Sequence, residues 1–243
     1  MMQAIAYRHA GLTNRFVFPA CTICWRVAAL VALLVAFSII IVARPDIDMR
    51  LSAMFYRAGA GFPLAQDAKL LTLRWLGRAV PVALAILISI LVIWRLARQQ
   101  KFVTIGDRAL AFIAASFALG PGIAVNAILK EHWGRSRPLA TDLFGGTAEF
   151  TPAWWPWGAC NSNCSFVSGE ASAAAVLIAF TVLCPPRYRL PMTIAVALWT
   201  IAISLNRMAF GAHYFSDVVL GCLVTLTIVY ALKALIIRTP AAA

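Results

Sequence analysis

Six stretches of the chain run with at most one charged residue: 27–43, 79–94, 109–129, 171–186, 190–206 and about 214–232. Apolar side chains fill them on every face, without the polar stripe of a surface helix or the alternation of a half-buried strand. Several fall short of the ~20 residues that cross a ~30 Å hydrocarbon core, so their ends borrow flanking groups such as Trp25, Trp94 and Arg95. In lipid the backbone must satisfy itself, which helices and closed barrels alone achieve, and uninterrupted runs lack the dyad pattern of barrel strands. The pattern predicts an all-α protein, a six-span transmembrane helical bundle forming one domain over residues 1–243. The mixed-polarity lead before the first span has no small-residue cleavage site, and that span reads as a retained membrane helix.

Composition narrows the class. Hydrophobic residues make up 62%, charged residues 12%, and mean hydropathy is +0.84, which excludes an ordinary soluble globule, a disordered chain and a small disulfide scaffold. Net charge is +12, but many basic residues flank apolar runs, so the implied partner is an anionic membrane lipid and not nucleic acid. The six cations of the first loop, 44–78, suit a polyanionic lipid surface, on an interfacial amphipathic helix or on a plain membrane-hugging connector. Lys and Arg divide almost evenly between the two sets of loops; discounting those in a phosphate site puts the termini in the cytoplasm. The loop after the third span is then extracytoplasmic. Its Cys160 and Cys164 form a possible disulfide, against the alternative of two unpaired thiols, while Cys21, Cys24, Cys184 and Cys222 read as small apolar residues at or in the membrane. Trp154-Trp155-Pro156-Trp157 in the same loop reads as an interfacial belt, with sugar stacking as the alternative.

The polar residues left over by the membrane form three clusters. Lys130-Glu-His-Trp-Gly-Arg-Ser-Arg137-Pro138 leaves span three, Ser168-Gly169-Glu170 enters span four, and Asn206-Arg207 ends span five just before His213 and Asp217. Alternation of direction brings all three to one membrane face. Ionisable groups at that depth are costly and face cavities, so they are candidates for function. Lys130, Arg135, Arg137 and Arg207 offer up to four cations to a phosphoryl group, and Ser168-Gly169 at a helix start adds backbone donors. The i, i+4 spacing of His213 and Asp217 would let the carboxylate hold one ring nitrogen and aim the other at phosphorus. Singly, each has a plainer reading: snorkelling anchors for the cations, an interface histidine, and a serine cap with Glu170 on the helix dipole. Joint occurrence favours chemistry.

These clusters resemble the type 2 phosphatidic acid phosphatase family, whose signature runs K-x6-R-P, then P-S-G-H, then S-R-x5-H-x3-D. Lys130 with Arg137-Pro138 fits the first motif; Arg207, His213 and Asp217 fit the third, with Asn206 in place of serine. The middle motif is Val167-Ser168-Gly169-Glu170, in which glutamate stands where the family has histidine. The resemblance implies a bundle of the phosphatidic acid phosphatase and vanadium haloperoxidase-like kind, and hydrolysis without a metal or other cofactor. In that scheme His213 is the nucleophile, Asp217 its orienter, and Lys130, Arg137, Ser168, Gly169 and Arg207 hold the phosphate. Glu170 occupies the general-acid position, with three accounts open: it is the acid, His132 replaces it, or the leaving group needs little help. In its six-span layout, the Phe166-Val-Ser-Gly-Glu-Ala-Ser172 stretch and the first-loop wording around Asp46-Ile-Asp48 and Phe55-Tyr56, the chain looks most like the bacterial lipid A phosphatases, which implies lipid A as substrate at the periplasmic face of the inner membrane. The leaving-group argument favours the 1-phosphate, and an unusual middle motif suits a 4′-specific branch equally. Alternatives in the same chemistry are an undecaprenyl diphosphate or phosphatidylglycerol phosphate phosphatase and a lipid phosphotransferase. From another class comes a noncatalytic lipid-binding or transport protein, against which the His213 and Asp217 pair argues.

Overall fold

A computed structural model of the chain describes residues 22–98 and 104–237; Cys21, Lys101 and Arg238 lie outside the described residues. Helix α1 (Thr22–Ala43) is followed by the short α2 (Asp46–Ala53) and the long α3 (Ala68–Ala97). Helix α4 (Ile105–Phe117) continues through a π-helical stretch, Ala118–Leu129, into a last turn at Lys130–His132. After a long irregular loop come α5 (Gly169–Ala175), α6 (Ile178–Leu183), α7 (Pro186–Ala209) and α8 (Phe215–Ile236). Helix α8 packs against α1, α4, its π-helical continuation and α5, which makes it the centre of the bundle.

Among the described residues, five helices are long and apolar enough to cross a membrane, and Gly169–Leu183 is a shorter apolar helix. This shorter helix starts inside the protein, because Ser165, Phe166, Val167 and Ser168 beneath the long loop are fully buried. It therefore does not need the length of a helix that begins at the membrane surface. Rows of large apolar side chains face outward, with Ile39 65%, Ile93 64% and Leu198 62% exposed. Such rows would drive association in water and are the ordinary face of a protein in lipid.

Helix α3 is much longer than the apolar run at 79–94. Asp67 caps it by accepting the Leu70 N–H at 2.9 Å, so Lys69, Arg74 and Arg78 stand on helix and not in a loop. The 44–78 segment is thus a short helix, a turn and the start of α3, and the face that α2 buries carries Asp48 and Ser52 in place of an apolar stripe. The π-helical stretch contains Pro121, whose missing N–H upsets the regular ladder, and the Asn126 side chain donates to its carbonyl at 2.6 Å. Of the four consecutive loop residues from Trp154, Trp154 packs edge-on to Trp133 and Phe166 and donates to Ser38, while Trp155 and Trp157 are exposed.

Candidate active site

The end of α4, the start of α5, the end of α7 and the turn into α8 meet at one end of the bundle, and each brings part of one sequence cluster. Gly169 fits there because Asn126 leaves no room for a side chain: a Cβ would sit 2.4 Å from its Oδ1. Gly211 (φ +60°) turns the chain between α7 and α8 against the Phe62 ring, and this turn presents His213.

His213 is 2% exposed, and its Nδ1 lies 2.7 Å from the Ser165 carbonyl. A carbonyl only accepts, so Nδ1 carries the proton and Nε2 keeps a free lone pair. Burial first, then the cations Arg207, Lys130 and Arg137, hold the imidazole pKa well below its ordinary range. A neutral ring with one nitrogen fixed and the other free is suited to nucleophilic attack.

The i, i+4 spacing does not bring Asp217 onto the ring. His213 precedes the first residue of α8, Phe215, so helical register does not reach it, and Nδ1 is 3.9 Å from Asp217 Oδ2. The carboxylate instead accepts from Arg135 Nη1 at 2.6 Å, Ser165 Oγ at 2.5 Å and the Tyr214 N–H at 2.9 Å. It steadies the peptide that holds His213, and it caps α8. Arg135 is likewise not a phosphate cation. It is fully buried, bound to Asp48 at 2.8 Å and to the Thr151 carbonyl at 2.9 Å, with its guanidinium over the Tyr214 ring. What separates it from Arg137 is a pair of carboxylates far away in the chain, Asp48 and Asp217.

The cationic cluster gathers Lys130, Arg137 and Arg207, with Glu170 within electrostatic reach of all three. Arg207 is 2% exposed, and its Nε lies 3.4 Å from Glu170 Oε2. Arg207 Nε and Nη1 are buried without a hydrogen-bond partner in the protein. Buried donors of a charged group are expensive to leave unmet, and a phosphate oxygen is the acceptor they suit. Ser168 caps α5, its Oγ accepting the Ala171 N–H at 3.4 Å, and its own N–H bonds to the Asp217 carbonyl at 3.0 Å. The sequence reading missed Arg74, whose Nε lies 3.7 Å from Glu170 Oε1. The helix-cap signal of Asp67, which places Arg74 well inside α3, could have found it. It also missed Asn126 and Ser165, which have no local sequence signal, and it noted Asp48 in the Asp46-Ile-Asp48 stretch without giving it a place at the site.

Arg137 Nε and Nη2 hold the Asn163 carbonyl at 3.2 and 2.8 Å, and Asn163 lies inside the loop closed by the Cys160–Cys164 disulfide. Opening that ring frees the carbonyl that orients Arg137. Reduction, or Cys160→Ser with Cys164→Ser, is therefore expected to raise KM several-fold and leave kcat largely intact, as steady-state kinetics in detergent will report.

Residues 109–239 match the PAP2 superfamily. A lipid A 4′-phosphatase of Rhizobium leguminosarum is 38% identical over 228 residues, which cover 87% of this chain and 93% of that protein. A lipid A 4′-phosphatase of Francisella tularensis subsp. novicida is 36% identical over 177 residues, 72% of this chain and 79% of its own. Among solved structures, a transmembrane PAP2 type phosphatidylglycerolphosphate phosphatase from Bacillus subtilis shares the fold, with a TM-score of 0.55 at 19% identity, over 87% of this chain and 96% of its own. The family match takes in every cluster residue from Lys130 to Asp217, and the relatives extend it over most of the chain: this protein belongs to the PAP2 superfamily as a multi-pass helical membrane member.

Proposed function

We propose that this membrane lipid phosphatase removes the 4′-phosphate monoester of lipid A at the periplasmic face of a bacterial inner membrane, through a phosphohistidine at His213 and without a metal ion. The observation that carries the chemistry is a buried imidazole with Nδ1 tied to the Ser165 carbonyl beside Lys130, Arg137 and Arg207. The position on the sugar follows the relatives, named as 4′-phosphatases over most of the chain. The periplasmic side is supported by the Cys160–Cys164 disulfide at the site end, since such bonds persist in oxidising compartments. The proposal counts Gly169–Leu183 as a sixth crossing within a single domain.

In this reading His213 Nε2 attacks phosphorus, the bond to the 4′ oxygen breaks, and Lys130, Arg137, Arg207, Ser168 and Gly169 take up the charge on the remaining oxygens. Water then attacks the phosphohistidine and gives its proton to the Glu170 carboxylate left by the first step, the N–P bond breaks, and inorganic phosphate leaves with His213 and Glu170 both restored. Asp217 orients the ring through Ser165. A 4′ oxygen departs as an ordinary alcohol and needs a proton, and Glu170, at the family's general-acid position beside Arg207, delivers it. Glu170→Ala is expected to lose more turnover on lipid A than on p-nitrophenyl phosphate, whose phenolate leaves unaided, and Glu170→His to retain part of it. Equal losses on both substrates would assign Glu170 to holding Arg74 and Arg207 alone.

Purified protein in detergent with EDTA should release phosphate from lipid A in preference to undecaprenyl diphosphate, phosphatidylglycerol phosphate or phosphatidic acid. Preference for one of the other three, or a requirement for added metal, would overturn the assignment.

A further inference from the structure

We infer that Asp48 and Arg135 are positioning residues for phosphoryl transfer: a buried chain of hydrogen bonds runs from the first loop through Arg135, Asp217 and Ser165 to the His213 ring. This rests on the proposed role of His213 as nucleophile.

The chain is continuous. Asp48, on α2, accepts the Ser216 N–H at 2.8 Å through Oδ1, and through Oδ2 it accepts from Ser216 Oγ at 2.5 Å and Arg135 Nη2 at 2.8 Å. Arg135 passes the contact on, donating from Nη1 to Ser216 Oγ at 2.8 Å and to Asp217 Oδ1 at 2.6 Å. Asp217 accepts from Ser165 Oγ at 2.5 Å, and the Ser165 carbonyl takes the His213 proton at 2.7 Å. Ser165 is gripped a second time where its N–H bonds the Arg135 carbonyl at 2.8 Å. The peptide that aims the nucleophile is thus held by Arg135 twice, directly through the backbone and through Asp217.

Burial makes the arrangement consequential. Asp48, Arg135, Ser216, Asp217 and Ser165 are each at most 1% exposed. Two carboxyl groups share one guanidinium, so each end of Arg135 is held, and with it the Asp217–Ser165 link that aims the ring. A buried group keeps most of its Coulomb effect because water does not screen it. Without Asp48 the far end of Arg135 is free to turn, and the link through Asp217 and Ser165 to the imidazole loosens. Packing alone would also explain a buried arginine, but it gives no reason for a hydrogen-bond chain that ends on the histidine.

The experiment is Asp48→Asn in the full-length protein, assayed on lipid A with inorganic phosphate as competitive inhibitor and with melting followed in detergent. Substitutions that let a reacting group drift cost about 10- to 100-fold, and a loss in kcat of that size is expected. The inhibition constant of phosphate should stay within about threefold, because the binding cations are untouched. Unchanged kcat, or kcat, phosphate affinity and melting temperature falling together, would overturn the inference. Ser165→Ala leaves the ion pairs in place and decides the matter if Asp48→Asn does not fold: the inference expects kcat to fall with phosphate affinity kept, and unchanged kcat contradicts it. Wild-type protein that releases no phosphate would instead overturn the phosphatase reading, a separate outcome.

Discussion

His213→Ala is expected to abolish phosphate release from lipid A, with kcat falling by about 10³-fold or more, the scale seen when a covalent nucleophile is removed. The expectation comes from geometry. Nδ1 is committed to the Ser165 carbonyl, so Nε2 is the one lone pair the ring can offer, and no other side chain in the cluster of Lys130, Arg137, Glu170 and Arg207 combines nucleophilicity with that placement. The pH profile gives a second reading of the same residue. Burial and the three cations lower the imidazole pKa, so the ring remains neutral as pH falls through the usual histidine range near 6.5. Protonation of Nε2 would remove the attacking lone pair, and the acidic limb of kcat/KM should therefore lie clearly below pH 6.5. A limb at or above 6.5 would mean that the ring is not in the electrostatic setting described.

Arg207→Ala is expected to be nearly as damaging, with kcat/KM lower by about 10²- to 10³-fold, the scale of losing a buried donor to a developing oxyanion. Its Nη1 and Nε make no hydrogen bond within the protein, Glu170 Oε2 standing 3.4 Å from Nε as an ion-pair partner, so an incoming phosphate would complete them, and losing the guanidinium also strips Glu170 of that neighbour. Arg207→Lys should recover little, because one ammonium point charge cannot replace two directed N–H groups. The check is the inhibition constant of inorganic phosphate alongside kcat: both should worsen in Arg207→Ala, whereas His213→Ala should leave phosphate affinity nearly intact.

Much of the bundle was legible in the sequence, because lipid demands long apolar helices and such runs cannot hide. The start of α3 was not, since Lys69, Arg74 and Arg78 interrupt the apolar run although Asp67 caps a helix there. The fourth apolar run, 171–186, is a candidate span short of the crossing length, and its helix is short because its first turn begins under the long loop. Lys130, Arg137, Ser168, Glu170, Arg207 and His213, singled out by the motif spacings, lie together at one end of the bundle. Spacing misled in the details that depend on local backbone. His213 lies before α8 begins, so its relation to Asp217 runs through Ser165. Arg135 and Arg137 look equivalent as two cations two residues apart, and it is distant partners, Asp48 and Asp217, 87 and 82 residues from Arg135 in the chain, that make Arg135 a buried strut. Long-range hydrogen bonds of that kind have no sequence period to betray them.

The most direct measurement of the central claim is a single turnover of lipid A radiolabelled at the 4′-phosphate, quenched in alkali, which preserves phosphohistidine, and followed by peptide mapping. The account predicts label on the peptide containing His213, lost in His213→Ala, and later recovered as inorganic phosphate in the presence of EDTA. Release of labelled phosphate at wild-type rate by His213→Ala, or turnover that spares the 4′ position, would contradict it.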